Sequence, residues 1–310
     1  MSNVRGDVLI KKLRQEKGLT QVQLSEGICS KDTLSRIERG ERVPSRWVFE
    51  QLMERLGEDP KKYFTDVVTT EDKRVADLRD ELKGFLRDKS VEGIQKSKEL
   101  LDRLEKDEAF KTKEGQQYLF RSKANLALNQ KNYEDMHSNA MAALTLTKPT
   151  FNDELIDTYI LTFDEIWSIN QLAIARFFLV SIEDSTKILL ALKAAVDRNY
   201  IDGNDMANVY ASILYNLSKN LGQMEMWGEC LPICEAGVKW CYQSRNSYHY
   251  PLFLYNKAHC LFNLDKREEA ISALKRVFAI FMGFERLMEL ASVKNSMKEK
   301  FGVEINCIAV

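Results

Sequence analysis

The feature that most constrains this chain is a spacing. Four times between residues 124 and 277, a compact residue on one helical segment is followed twelve positions later by a second residue on the next segment. Seven positions further on comes a third. The sets are Ala124, Met136 and Ala143; Ala173, Ser185 and Leu192; Ser218, Cys230 and Gly237; and Ala258, Ala270 and Val277. A recurring pair of helices that approach through small side chains explains the spacing, and coincidence within an irregular helical bundle is the alternative. The clearest single unit runs from Leu254 to Val277, where Asp265 marks the turn and Glu268-Glu269-Ala270 opens the second helix. Only five prolines interrupt 310 residues. Apolar positions recur every three or four residues almost throughout, with no convincing strand alternation, so the fold class is all-α.

This is the pattern of a tetratricopeptide repeat, in which small residues let paired helices pack closely. The unit starts lie 49, 45 and 40 residues apart, longer than the ~34 of the ideal repeat, so the repeats are degenerate. A weaker unit, Val75 to Lys106, precedes them. Phe284 to Lys300 reads as a closing helix, because a stack of repeats needs a capped end. The expected body is a right-handed tetratricopeptide-like α-solenoid over 74–310, with about five helix pairs plus the capping helix.

The residues before it read differently. Short helices are expected over about Asp7 to Lys17, from Thr20, from Ser30 to Gly40, and from Pro44-Ser45 to Gly57. A short fifth turn is expected over Pro60 to Phe64. Gly18 suits a helix C-terminus, Thr20 with Gln23 forms a capping box, and Ser30 is a preferred N-cap. Leu9, Leu13, Leu24, Ile28, Leu34, Ile37, Leu52 and Leu56 have the spacing of one small core. Residues 1–65 are therefore expected to form a five-helix head, and 66–73 a linker, with Asp66 to Asp72 its most linker-like stretch. The whole chain carries a formal charge of −1. Through Leu56 the balance is +3 and beyond it −4. A mildly basic head on an acidic body suits a protein that offers one end to nucleic acid.

Leu19-Thr20-Gln21, Leu24, Ile28, Ser30, Leu34-Ser35-Arg36-Ile37-Glu38-Arg39-Gly40 and Pro44 resemble the Cro and phage-repressor type of helix-turn-helix, the XRE family. Its lambda-repressor-like fold is expected over about the first 57 residues. One departure is the compressed turn Gly27-Ile28-Cys29-Ser30. In such a domain the leading residues of a recognition helix meet base edges in the major groove. Here those are Ser30, Lys31, Asp32, Thr33, Ser35 and Arg36. Lys31 and Arg36 can donate to guanine and Asp32 can accept from cytosine. Equally, Asp32 can serve the helix dipole while Lys31 and Arg36 touch only phosphate. The resemblance gives Gln21 a backbone or base contact, and Arg14 with Glu38 an intradomain salt bridge. Arg39 and Arg42 fit phosphate clamps. One small head reads a short site, so a homodimer on two half-sites of a double-stranded DNA operator is expected.

Helix-turn-helix followed by degenerate tetratricopeptide repeats resembles the Rgg/PlcR-like, peptide-responsive regulators of Gram-positive bacteria. Leu56-Gly57-Glu58-Asp59-Pro60-Lys61-Lys62-Tyr63-Phe64 and Leu214-Tyr215-Asn216-Leu217-Ser218-Lys219 share in the likeness. It implies a transcription regulator whose repeat groove takes a short quorum-sensing peptide. Asparagine both donates and accepts, so it can grip an extended peptide backbone. Asn170, Asn216 and Asn256 occupy nearly equivalent places, with Gln171 at the strict equivalent in its unit. Lys219, Asn220 and Asn263 lie one or two turns onward, and Tyr215 and Tyr255 adjoin. The competing role for these amides is to bridge neighbouring helices. A repeat body that binds a protein partner instead of a peptide also remains open.

Other classes find less support. His-Glu-x-x-His, a phosphate-binding glycine loop and a nucleophile elbow are all absent from the sequence, so no enzyme is expected. The N-terminus does not resemble a signal peptide and no stretch is apolar enough to span a bilayer. The six cysteines therefore read as reduced cytoplasmic thiols. Cys230, Cys234 and Cys241 share a helical face without further ligands at metal spacing, which reads as core packing with no metal and no cofactor. His137, His249 and His259 are scattered. The apolar run Leu172 to Ile182 reads as repeat core.

Overall fold

In the computed structural model, residues 6–63, 70–201 and 203–303 are described. Regular structure among them is entirely helical. The chain divides into two compact units, Met1–Met206 and Ala207–Val310.

The first unit opens with α1 (Gly6–Glu16), α2 (Gln21–Ser25), α3 (Lys31–Glu38) and α4 (Arg46–Arg55), then a single 3₁₀ turn at Pro60–Tyr63. Phe64 and residues 66–69 of the expected linker lie outside the described residues. Side chains start these helices where the sequence implies. Thr20 and Gln23 form a reciprocal capping box, Ser30 accepts from the Thr33 amide, and Ser45 accepts from that of Val48. Gly18, Gly27, Gly40 and Gly57 all hold positive φ, the conformation that ends a helix cheaply only in glycine. The core joins Ile10, Leu24, Ile28, Leu34, Ile37, Phe49, Leu52, Met53 and Leu56. Leu9 and Leu13, expected inside it, pack at its edge. Ile10 takes the interior place on α1 instead.

Helix α5 (Thr70–Arg87) begins within the stretch read as linker and pairs with α6 (Val91–Leu104). Next come α7 (Lys113–Asn129) with α8 (Tyr133–Thr145), and α9 (Phe163–Leu179) with α10 (Ile182–Arg198). Ala124, Met136, Ala143, Ala173, Ser185 and Leu192 are all fully buried, as the spacing requires. The long step between these two pairs has a cause: a 3₁₀ segment, Asp153–Thr158, lies between α8 and α9. The run Leu172 to Ile182 is only partly core. Phe178, Leu179 and Val180 stand exposed at the end of α9, where Phe178 stacks on Tyr133 with ring centroids 3.8 Å apart.

The helix-turn-helix head packs on these repeats through charge. Arg55, fully buried, pairs with the equally buried Glu165 at 3.0 Å. Its guanidinium also donates to the carbonyls of Leu24, at 3.3 Å, and Glu26. Glu165 caps α9 as well, accepting from the Thr162 amide at 2.8 Å. Lys148 reaches Glu26 at 3.4 Å and lies over the Tyr159 ring. Glu54 accepts from the Phe163 amide at 2.9 Å, and Asn199 joins Lys17 to the Arg55 carbonyl. Lys113 donates to the Gly27 carbonyl. A Cβ on Gly27 would overlap the carbonyl of Thr147, so glycine is required there twice over.

The second unit holds most of α11 (Asn204–Gln223), then α12 (Trp227–Gln243), α13 (Tyr250–Asn263), α14 (Arg267–Gly283) and α15 (Leu287–Phe301). Ser218, Cys230, Ala258, Ala270 and Val277 are buried. Gly237 is buried too, because any Cβ there would collide with the Phe253 ring. Helix α15 occupies the place expected for a closing helix and packs Leu290, Val293 and Met297 against the α13–α14 core.

Turns in this unit share one device. Glu225, Arg245, Asp265 and Glu285 each adopt positive φ. The next amide returns to a carbonyl five residues back: Met226 to Leu221, Asn246 to Cys241, Lys266 to Leu261 and Arg286 to Phe281, all at 2.8–2.9 Å. That return bond belongs to the helix ending usually built on glycine. Here charged residues adopt it.

Candidate DNA interface and ligand cleft

Helix α3 is held by its apolar side. Leu34 and Ile37 have no exposed surface, and the Ser30 cap fixes where the helix starts. Its opposite, leading edge faces outward: Ser30, Lys31, Asp32 and Arg36 are exposed, with Thr33 and Ser35 half-buried. Ser30 donates to Thr33 Oγ1 at 3.0 Å. Arg39 is exposed but engaged, bidentate to Glu41 at 2.6 and 2.9 Å and donating to Ser35 Oγ. Arg42 leans on Thr33 Oγ1 at 3.4 Å.

Below this edge Arg14 grips Glu38 at 2.6 and 2.9 Å, as the salt bridge implied by resemblance requires. Gln21 donates to the same carboxylate at 2.9 Å, so its amide braces α2 to α3 in this structure. Burial pushes the Glu38 pKa up, but hydrogen bonds from Arg14 and Gln21 outweigh it and hold the carboxyl below its ordinary value. The negative charge therefore persists and keeps the two helices in register.

In the second unit, a cleft of about 500 Å³ opens between the α11–α12 turn, α13 and the end of α15. Such a volume lies within the usual range for small-ligand sites. Tyr255, Asn256, Asn263 and Lys219, four of the residues expected to bind peptide, line it. Asn256 donates to Ser218 Oγ at 2.9 Å, and Asn263 to the His259 carbonyl at 2.8 Å. Tyr215, Asn216 and Asn220 are not among the lining residues. Tyr215 stands edge-on to Phe253, and Asn220 is buried.

The α9 amides, in the first unit, are buried as well. Gln171 donates to the Arg121 carbonyl at 3.0 Å and to Asn125 Oδ1 at 3.1 Å, bridging α9 to α7. For Gln171 the helix-bridging role is the one observed. Asn170 is enclosed in the same helix.

Among the cleft residues that sequence reading missed are Trp227, at the start of α12, and Lys300 and Phe301, at the end of the closing helix. His259, read as scattered, lies at the centre of an aromatic wall. Its ring centroid is 5.3 Å from that of Trp227 and 4.9 Å from that of Phe301. Lys300 Nζ is 3.4 Å from its Nε2. Burial first, then the Lys300 charge, lowers the His259 pKa, so the ring contributes as a neutral, flat surface. Lys219 and Lys300 face a single acid, Glu225, across the lining.

The thiols need a correction. Sequence spacing grouped Cys230, Cys234 and Cys241 and offered no further ligand nearby. The fold brings Cys260 in from α13, and the sulfurs of Cys230, Cys234 and Cys260 all lie within 4.8 Å of one another. Cys241 does not join them. Packing between α12 and α13, invisible to spacing along one helix, creates the group.

A helix-turn-helix head and tetratricopeptide-like helix pairs on one chain define a class: a DNA-binding head carried on a repeat body. Residues 8–62 match the model of the helix-turn-helix domain family. Among solved structures, the chain resembles apo PlcR from Bacillus thuringiensis (18% identity, TM-score 0.58, covering 96% of this chain and 98% of that one). It also resembles the same regulator in complex with the peptide PapR7 and DNA (20%, 0.56, 94% and 99%). ComR from S. thermophilus, in complex with DNA and its signalling peptide ComS, matches at 15% identity and a TM-score of 0.53, covering 94% and 98%. The chain has the fold of these regulators over nearly its whole length. No relative among curated proteins matches it. Among the described residues no helix is long and apolar enough to cross a membrane.

Proposed function

We propose that this chain is a cytoplasmic transcription regulator. It binds a double-stranded operator as a homodimer through α3, and a short signalling peptide in the second-unit cleft controls it. The observation that carries the reading is the state of α3: its apolar face is locked into the head while Lys31, Asp32 and Arg36 are exposed along its leading edge. Lys31 and Arg36 read bases or phosphates there, Arg39 and Arg42 position the head, and Gln21 acts from beneath by bracing Glu38. Structures of the same fold have been solved with both DNA and a peptide, which supports the pairing of partners.

The cleft suits a peptide. Aromatic surface from Trp227, His259, Tyr255 and Phe301 takes apolar side chains. Asn256 and Asn263 offer amides to a backbone, and Lys219 with Lys300 offers charge to a terminal carboxylate.

Mobility shift on the promoter beside the gene tests the first half. Lys31→Ala or Arg36→Ala should weaken specific binding by ~1–3 kcal/mol if the side chain reads a base. No change in sequence preference for either would remove α3 from the interface. Titrating the chain with short synthetic peptides from neighbouring small reading frames tests the second half. Asn256→Ala should abolish the response while leaving DNA affinity without peptide intact. Loss of both would make that asparagine structural.

A further inference from the structure

Under the floor of the cleft, three cysteines from two helices point their sulfurs at one another. Cys230 and Cys234, one turn apart on α12, have sulfurs 3.8 Å apart. Cys260 on α13 completes the group, all three sulfurs lying within 4.8 Å of one another. Each residue is at most 1% exposed. Cys230 and Cys260 nevertheless border the cleft, which gives the cluster a route to solvent. Packing alone does not call for a thiol here. At the positions equivalent to Cys230, the other helix pairs carry Met136, Ser185 and Ala270, and all are equally buried.

We propose that this cluster is a binding site for a soft ion satisfied by three sulfur ligands, of the trivalent arsenic or cuprous class. Three sulfurs about 2.3 Å from a common centre stand about 4 Å apart around a planar cuprous ion and about 3.5 Å apart around pyramidal trivalent arsenic, so the 3.8 Å pair and the 4.8 Å limit ask only for a small closing of the group. Soft thiolate ligands select soft ions. The ligand count and the charge then narrow the choice. No fourth histidine, cysteine or acidic donor belongs to the group among the described residues, whereas structural zinc takes four ligands. Three thiolates leave net negative charge around a divalent ion, and more around a cuprous one unless a thiol keeps its proton, which is costly in a buried site, so charge ranks arsenic ahead of copper. A trivalent centre is neutral. With arsenous acid, each thiol forms one As–S bond as one As–O bond breaks. The thiol proton leaves with the hydroxyl as water, so three waters are released and nothing is oxidised or reduced.

The test uses the full chain, reduced with a phosphine, and sodium arsenite as probe, with cuprous ion and zinc as parallel arms. One arsenic per chain should survive gel filtration, the titratable thiol count should fall by three, and X-ray absorption should show a shell of three sulfurs. Cys260→Ser should weaken loading at least tenfold, whereas Cys241→Ser, a buried thiol outside the group, should load like the parent. If circular dichroism shows that Cys260→Ser has lost its fold, Cys234→Ala and the parent's sulfur count decide. One cuprous ion per chain on the same three sulfurs supports the class and shifts the assignment toward copper. The site is refuted if neither arsenite nor cuprous ion loads, if the shell holds two sulfurs, if zinc displaces both, or if Cys241→Ser is as damaging as Cys260→Ser.

Discussion

The two units bury different chemistry. The interior contact between head and repeats in the first unit is built on charged and titratable groups: Arg55, Glu165 and Lys148 are buried there, and Glu54 accepts from the Phe163 amide beside them. The second unit closes its helix pairs on aromatics and thiols, with Phe253 seated on Gly237 and Cys230 beside Cys234 and Cys260. Buried ion pairs are weak contributors to stability compared with apolar packing, but costly to break one partner at a time. The difference teaches that the head is held by contacts sensitive to charge, and the cleft by contacts that are not.

The largest effect should come from breaking the buried pair. Arg55→Leu leaves Glu165 enclosed without its cation and should cost about 3–5 kcal/mol in urea unfolding. Replacing both with leucine should recover part of that loss. A double variant no better than the single one would mean the pair is not the coupled unit described.

The pH dependence of stability comes next. Burial, then the nearby Asp164, raises the Glu54 pKa from 4.5 to about 8. The stability linked to its protonated form is therefore full below about 4.5 and lost as pH rises through about 8. Across pH 5 to 8 the loss is about 3–4 kcal/mol. Glu165 and Glu38 act oppositely. For each, burial works to raise the pKa and is outweighed, by the charges of Arg55 and Lys148 for Glu165 and by hydrogen bonds from Arg14 and Gln21 for Glu38. Their lowered values confer stability above the unfolded pKa and lose it as pH falls further. Between pH 5 and 8 Glu54 should thus make the first unit more stable on acidification, against His137, whose burial-lowered pKa works the other way. Glu54→Gln should flatten that slope, and an unchanged slope would assign it to other groups.

A smaller effect belongs to the second unit. Gly237→Ala drives a methyl into the Phe253 ring and should cost about 1–3 kcal/mol, with no change in pH profile. Smallest is Ser30→Ala, about 1 kcal/mol from the lost cap, read by thermal unfolding.

Local order was legible from residues alone. Thr20, Ser30 and Ser45 mark helix starts because a cap is a contact between neighbours in sequence. The twelve-residue spacing marks helix pairs because each pair is joined by a short turn. Contacts between distant elements were not legible. Arg55 and Glu165 lie 110 positions apart, and nothing in either segment names the other. Cys260 joins α12 only through packing, and Lys300 and Phe301 reach the cleft from a closing helix that periodicity can place but not aim. Helix ends at Glu225, Asp265 and Glu285 lack the glycine that would have announced them. Asparagine recurrence pointed to the cleft through Asn256 and Asn263, but Gln171 shows the same pattern serving an internal bridge.

The turn at Gly27 is squeezed from outside its own domain. Thr147, just past the end of α8, presses against it where no side chain fits, and Lys113 at the start of α7 holds its carbonyl. That turn sets the angle between α2 and α3. A displacement of the α8 end toward Gly27 has no free space to enter, so the turn between α2 and α3 and the end of α8 must move together.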